Sequence, residues 1–473
     1  MQLKDRVGRI ASTGRHCQNW KDDQELVFNL LNKIPLSDGG ADGVLRKPER
    51  FVNGNINDNI YSAILYFQKH NFPGNVPDGN IRPGGPTFKA LVALSARAAA
   101  KPPAKPGQWT QIATPSVYNS LTKGLSDRTL DHSEVFDIVR ATLADGMITA
   151  HEVDDLNFIV SNGKSLEPRS KRLLTAVTDE VYFSSVGNGP YNFDSEQKRM
   201  AVETVRDFLM KNGRTYFPKL SRQHVGIGML SRIGNPGMIR QGAASLCGPA
   251  AMMFNYASDW PVAYVRFAID MYEKGKANLG RLLIKPGSDV RDYTPPRSIS
   301  PVDWLTMASI RDSENWFLDF DDTGRISDMA GITLPSEMEQ WMRKAGYSDV
   351  RENTNLTNMM HKGIGTVDAA NALYQKGYRV CLFISANMAE DMTQSGKSLT
   401  DWKDMGEDDQ SRRGSIMTRH WVVQRSLIDK SGGNIKLKIF TWGNGDYSIP
   451  VGSRNLPAEH FLMNFYGYVA GKA

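Results

Sequence analysis

Gln241-Gly242-Ala243-Ala244-Ser245-Leu246-Cys247-Gly248-Pro249-Ala250-Ala251 is the stretch from which the C-terminal half of this chain can be read. Pro249 sits just inside a predicted helix start, where its missing N–H would lack a partner in any case. The small residues around Cys247 let backbones approach closely and leave the thiol accessible. A thiol at a helix N-terminus is acidified by the helix dipole. Gln241, six residues ahead, offers an amide for a developing oxyanion. The bland alternative is a buried structural cysteine, the commoner fate of a lone Cys. The glutamine, together with a suitable downstream histidine, tips the reading towards nucleophilic catalysis.

Downstream of Cys247 the apolar periodicity predicts helices over 250–256, 262–274, 302–310 and 336–345, and strands over 380–385, 420–427, 435–441 and 461–469. A helical half carrying the cysteine, followed by a strand-rich half carrying histidines, predicts an α+β fold. Three histidines follow Cys247: His361 in a helix end or loop, His460 at a helix start, and His420 at the head of the strand Trp421-Val422-Val423. His420 is the preferred base, because the start of a strand aims an imidazole rigidly. A third group should orient it, and the end of the next strand carries Thr441, Asn444 and Asp446. Asn444 and Asp446 have the right chemistry, whereas Thr441 has the more natural strand-end position. Asn444 is carried forward as the candidate.

This constellation resembles the papain-like cysteine peptidase superfamily. Gln241 and Cys247-Gly248 match that family's oxyanion glutamine and nucleophile spacing, and His420 before Val422-Val423 resembles its histidine strand. Trp442-Gly443 resembles the segment that follows the orienting Asn, although Phe440-Thr441 stands where an Asn or Asp would be expected. The resemblance spans about residues 220–470 in motif order. It implies a thiol hydrolase with no cofactor and no metal, using Cys247, His420, Gln241 and Asn444.

The N-terminal third reads differently. After a polar lead (1–20), Leu26, Val27, Leu30 and Leu31 form one helical face, Ile60, Ala63, Ile64 and Phe67 another, and Phe88, Leu91, Val92 and Leu94 a third. Asp42-Gly43, Asn53-Gly54, Asp78-Gly79 and Pro83-Gly84-Gly85 mark turns between them. Asp42-Gly43, Ala63-Ile64-Leu65-Tyr66-Phe67-Gln68 and Asp78-Gly79 through Thr87 resemble the peptidoglycan-binding domain of bacterial cell-wall hydrolases, with the loop before the central helix lengthened. Residues 21–96 are therefore expected to be an all-α, peptidoglycan-binding-like three-helix module. An Ala/Pro linker (97–113), a helical middle domain (114–215) and the papain-like domain (216–473) are expected to follow. In the middle domain, Asp145-Gly146 through Glu152 mimics the second half of an EF-hand loop. Ala141 and Leu143 stand where the leading carboxylates belong, so a helix–helix turn is the expectation there.

The chain has 473 residues, 40% hydrophobic and 23% charged, which suits several soluble cores. No apolar run reaches membrane-helix length, so no membrane span is expected. Its net charge is +6 and its pI near 9.0, but Lys and Arg are scattered, and no nucleic-acid partner is expected. Three cysteines, Cys17, Cys247 and Cys381, have neither disulfide-framework nor metal spacing. Cys381 lies in a strand-like run and reads as a small core hydrophobe. Met1-Gln2-Leu3-Lys4-Asp5-Arg6 lacks the apolar core of a signal peptide. A wall-binding-like module, a thiol hydrolase and no classical leader together resemble a bacterial type VI secretion effector. Such a protein is held in the bacterial cytoplasm before delivery to a target cell. Its expected partners are a peptidoglycan or protein substrate, an immunity protein and the secretion apparatus. The alternatives are a deamidase or transglutaminase-type toxin and a non-catalytic wall-binding protein. Residues 401–413 read as an exposed loop that would serve as a lid.

Overall fold

The computed structural model describes the chain except for residues 1, 9–16, 35–39, 42–44, 46–47, 49, 55, 57, 73–77, 99–108, 110, 126–129, 164–165, 184–188, 243, 315–332, 355–361, 391–418 and 452–453. His361, the Asp42-Gly43 turn, the 401–413 segment and most of the linker lie outside the described residues. The described chain is mixed helix and sheet, and forms two compact units, Met1–Thr178 and Asp179–Ala473. The second unit begins well ahead of residue 216, because the helix Glu196–Met210 packs with Arg222–Gly234 and Pro261–Lys274.

In the first unit, α1 (Lys21–Lys33), α2 (Asp58–Asn71) and α3 (Pro86–Ala98) enclose Val27, Leu30, Leu31, Ile60, Ile64, Phe67, Phe88 and Leu91. The lead segment is more than polar. Leu3 and Val7 enter this core, Val7 pairs with Ile81, and the Lys4 and Asp5 N–H groups donate to the Asp23 carboxylate at 3.0 and 2.9 Å. The motif residues of α2 and the following turn are scaffolding. Gln68 Nε2 donates to Asp78 Oδ1 (2.7 Å), to the Asn80 carbonyl (3.0 Å) and to Thr87 Oγ1 (3.3 Å), while Gln68 Oε1 accepts from the Gly79 N–H at 2.8 Å. Gly79 has φ of +64°, which an L side chain rarely adopts. Helices α4 (Pro115–Gly124), α5 (His132–Leu143) and α6 (Ala150–Asn162) follow, and α7 (Pro168–Phe183) runs across the boundary between the two units at Thr178. Between α5 and α6, Asp145 Oδ1 accepts from Met147 N–H, Gly146 has φ of +90°, and Thr149 with Glu152 caps α6.

In the second unit, α8 (Glu196–Met210), α9 (Arg222–Gly234), α10 (Cys247–Asp259) and α11 (Pro261–Lys274) precede a short hairpin, β1 (Ala277–Leu279) with β2 (Leu282–Ile284). Six further strands form one sheet: β3 (Ser348–Thr354), β4 (Arg379–Ser385), β5 (Arg419–Gln424), β6 (Leu437–Thr441), β7 (Asn444–Ile449) and β8 (Phe465–Lys472). Their order is β3-β8-β4-β5-β6-β7, and every neighbouring pair is antiparallel. Strands β4 and β5 are buried along nearly their whole length, because helices cover both faces. On one face α10 packs through the Phe254–Phe440 ring stack and the Asn255 amide against the Cys381 thiol. On the other, Val380, Leu382, Ile384 and Val422 join Val367, Ala370 and Leu373 of the helix Ile364–Gln375. At the C-terminal end of α10 the Asp259 carboxylate takes two hydrogen bonds from Arg379 Nε, at 2.9 and 3.0 Å, and accepts from the Tyr347 hydroxyl at 3.0 Å. That cluster anchors the C-terminal end of the helix to β4.

Candidate active site

Cys247 is the first residue of α10 and is 7% exposed. Its thiol is pushed above the ordinary thiol range by burial. The backbone N–H groups of Trp421, Gly248 and Cys247 itself, and the positive charge of Arg311, act the other way. The thiol therefore lies beside β5, at the residue that follows His420. The start of α10 is tightly covered, since a Cβ on Gly248 would stand 2.1 Å from Thr333 Oγ1. Thr333 is a junction. Its carbonyl accepts from the Trp421 indole N–H at 2.8 Å, and its hydroxyl accepts from Arg311 Nη1 at 3.4 Å.

His420 is buried, and burial depresses its imidazole to about 4, so the ring is neutral at pH 7. Its Nε2 meets Thr441 Oγ1 at 2.6 Å, and its ring stacks on Trp442 at 4.9 Å between centroids. The alternation of β5 sets His420 on the face of Val422 and Gln424, while Trp421 and Val423 belong to the α10 face. Among the described residues the Cys247 sulfur and the His420 ring make no hydrogen bond to each other. The resting pair is thus a neutral thiol and a neutral imidazole.

Of the three strand-end candidates, Thr441 alone touches the imidazole. Asn444 lies across the β6–β7 turn from Thr441 and uses its side-chain oxygen on the Asp446 N–H at 3.0 Å. Asp446 is exposed and pairs with Arg425 at 3.6 Å. The turn itself explains the selection. Trp442 and Gly443 form a two-residue connection with φ of +47° and +79°, the pattern of a type I′ hairpin. A non-glycine residue in that conformation costs on the order of 1–2 kcal/mol. The same backbone lays the Trp442 indole over His420 and carries Asn444 beyond the ring.

Gln241 is 8% exposed, and its Nε2 donates to the Ala244 carbonyl at 2.9 Å, closing the turn before Cys247. The preceding Arg240 N–H donates to Asp303 Oδ2 at 3.0 Å. Asp303 is itself bound through Oδ1 to Arg232 Nε at 3.0 Å, and Arg232 also pairs with Glu180. This ion network, buried throughout, holds the start of the Gln241 turn. Arg311, Thr333 and Asp303 were not legible in sequence. They lie far from Cys247 along the chain, in helical or capping contexts with no motif.

Cys17 and Cys381 are also buried free thiols. Burial pushes Cys381 up to about 12, in keeping with a core residue. His460 lies buried at the start of the helix Ala458–Leu462. Among the described residues, no group of His, Cys, Asp and Glu is arranged to hold a metal ion, and no helix is long and apolar enough to cross a membrane. No family model, curated protein or solved structure matches this chain.

Proposed function

We propose that this protein is a thiol hydrolase of papain-like chemistry, with Cys247 as nucleophile and His420 as general base. The observation that carries the reading is the thiol at the head of a 13-residue helix, with backbone N–H groups around it and the strand of His420 alongside. In this reading His420 accepts the thiol proton as Cys247 Sγ attacks an amide carbonyl carbon. The C–N bond then breaks, His420 returns the proton to the leaving amine, and water hydrolyses the thioester. Gln241 with the Cys247 N–H supports the oxyanion, and Thr441 holds the imidazole by its Nε2. Thiol and imidazole share no hydrogen bond at rest, and the His420 side chain belongs to the face of β5 opposite α10, so turnover in this reading requires the start of β5 to rearrange when substrate enters.

The proposed substrate is a peptidoglycan stem peptide or a protein, and the first unit would dock the enzyme to the wall. The proposed setting is an antibacterial effector delivered from the bacterial cytoplasm and countered by an immunity protein. A second reading, a wall-binding protein with a structural Cys247, is favoured by the burial of that thiol. Incubating purified sacculi with the protein and analysing released muropeptides tests the first reading. Release by the native protein and none by Cys247→Ala is the expected result. Equal release by both would overturn it.

A further inference from the structure

The acidity of a nucleophilic thiol is set by the charges that face it. On β5 the neighbouring ionisable groups are His420, which is neutral and belongs to the face opposite α10, and Arg419, which lies over the rings of Phe383 and Tyr466. On the helix Ser309–Glu314 the facing group is Arg311, which in turn interacts with Glu337 on the helix Pro335–Ala345. The first turn of α10 carries no ionisable side chain besides Cys247. Arg311 is therefore the formal positive charge positioned to act on the sulfur among the described residues.

Its placement is built in. Arg311 is 2% exposed and donates to Thr333 Oγ1, the atom packed against Gly248 at the helix start. The Thr333 carbonyl is tied to the Trp421 indole, so one residue joins the guanidinium, the nucleophile's helix and the base's strand. The helix carrying Arg311 passes through a π-helical turn, Trp304–Ala308, immediately before it. Such turns re-aim the residues that follow and are frequent at functional sites. Burying a guanidinium is costly, and burial indeed lowers its own pKa. A purely structural role beside Thr333 would be filled by an apolar side chain at less cost.

We propose that Arg311 is the charge-stabilising partner of Cys247, holding the thiolate that forms when the sulfur attacks an electrophile. The inference rests on Cys247 being the reactive thiol of the proposed function. Arg311 bears on the sulfur through its charge, and Glu337 tempers that charge from the other side.

The test is alkylation of Cys247 by iodoacetamide as a function of pH in the full-length protein. The S–C bond forms, iodide leaves and the thiol proton passes to buffer. Peptide mass spectrometry reads Cys247 apart from Cys17 and Cys381. Arg311→Met is expected to move the titration midpoint up by about one pH unit, slowing alkylation at neutral pH roughly tenfold. Arg311→Lys is expected to restore most of the rate, and Glu337→Gln to shift the midpoint down. Loss of packing alone would not give shifts of opposite sign from neutralising two opposite charges. An unchanged midpoint in both Arg311→Met and Glu337→Gln overturns the proposal. If those shifts appear while Cys247→Ala still releases muropeptides, the hydrolase reading fails and the charge pairing stands. If the shifts are absent and Cys247→Ala is inactive, the reverse holds.

Discussion

His420 shows how one residue's surroundings select its chemistry. An exposed imidazole titrates near 6.5, but burial here favours the neutral ring and brings it to about 4. The unfolded chain then binds a proton below about pH 6.5 that the folded chain refuses until about pH 4. Stability is thus fully present above the unfolded value and is lost as pH falls through that window, by on the order of 3 kcal/mol. Urea denaturation at pH 7 and pH 4.5 should show this loss, and His420→Gln should remove much of it. Thr441→Val takes away the 2.6 Å contact with Nε2 while keeping the side-chain shape. In the proposed hydrolase it should lower kcat about tenfold or more with KM little changed, because the ring loses its aim.

At the level of elements, two close approaches can be checked directly. Gly248→Ala would drive a methyl group into Thr333, whose carbonyl and hydroxyl are both engaged, so the start of α10 must shift. A cost of about 1–3 kcal/mol is expected in chemical denaturation, with slowed alkylation of Cys247. In the first unit, Gln68→Ala strips the Asp78–Asn80 turn of its shared side-chain partner. It should destabilise that unit by about 2 kcal/mol or more, read as a lower midpoint in urea. The Ala-Ile-x-x-Phe-Gln pattern thus owes much to packing and turn closure, which is why it marks a fold more firmly than a ligand.

On the scale of the whole molecule, two compact units imply two cooperative transitions in calorimetry of the full chain. Gln68→Ala should lower one of them. Arg232→Met should lower the other, by about 3–5 kcal/mol, since Asp303 and Glu180 would keep buried charge without their shared partner. A single transition shifted equally by both variants would contradict this division.

Local periodicity and turn chemistry made the three N-terminal helices, the helix opening at Cys247, and the strands of Cys381, His420 and Phe440 readable from sequence alone. These elements bury an apolar face whose spacing is printed in the chain. Strand β3 escaped because its sequence, Ser-Asp-Val-Arg-Glu-Asn-Thr, is polar at an edge where one face meets solvent. Strand β7 escaped because Trp442-Gly443 turns at once into a second, half-exposed strand. The identities of Cys247, His420 and Gln241 as candidates came from residue type and order. Which groups surround them was decided only by tertiary structure. Thr441 rather than Asn444 meets the imidazole because a tight hairpin turn sets the register, and Arg311 faces the thiol because Thr333 pins it there. Through-space charge and register have no periodic signature, so a linear chain cannot announce them.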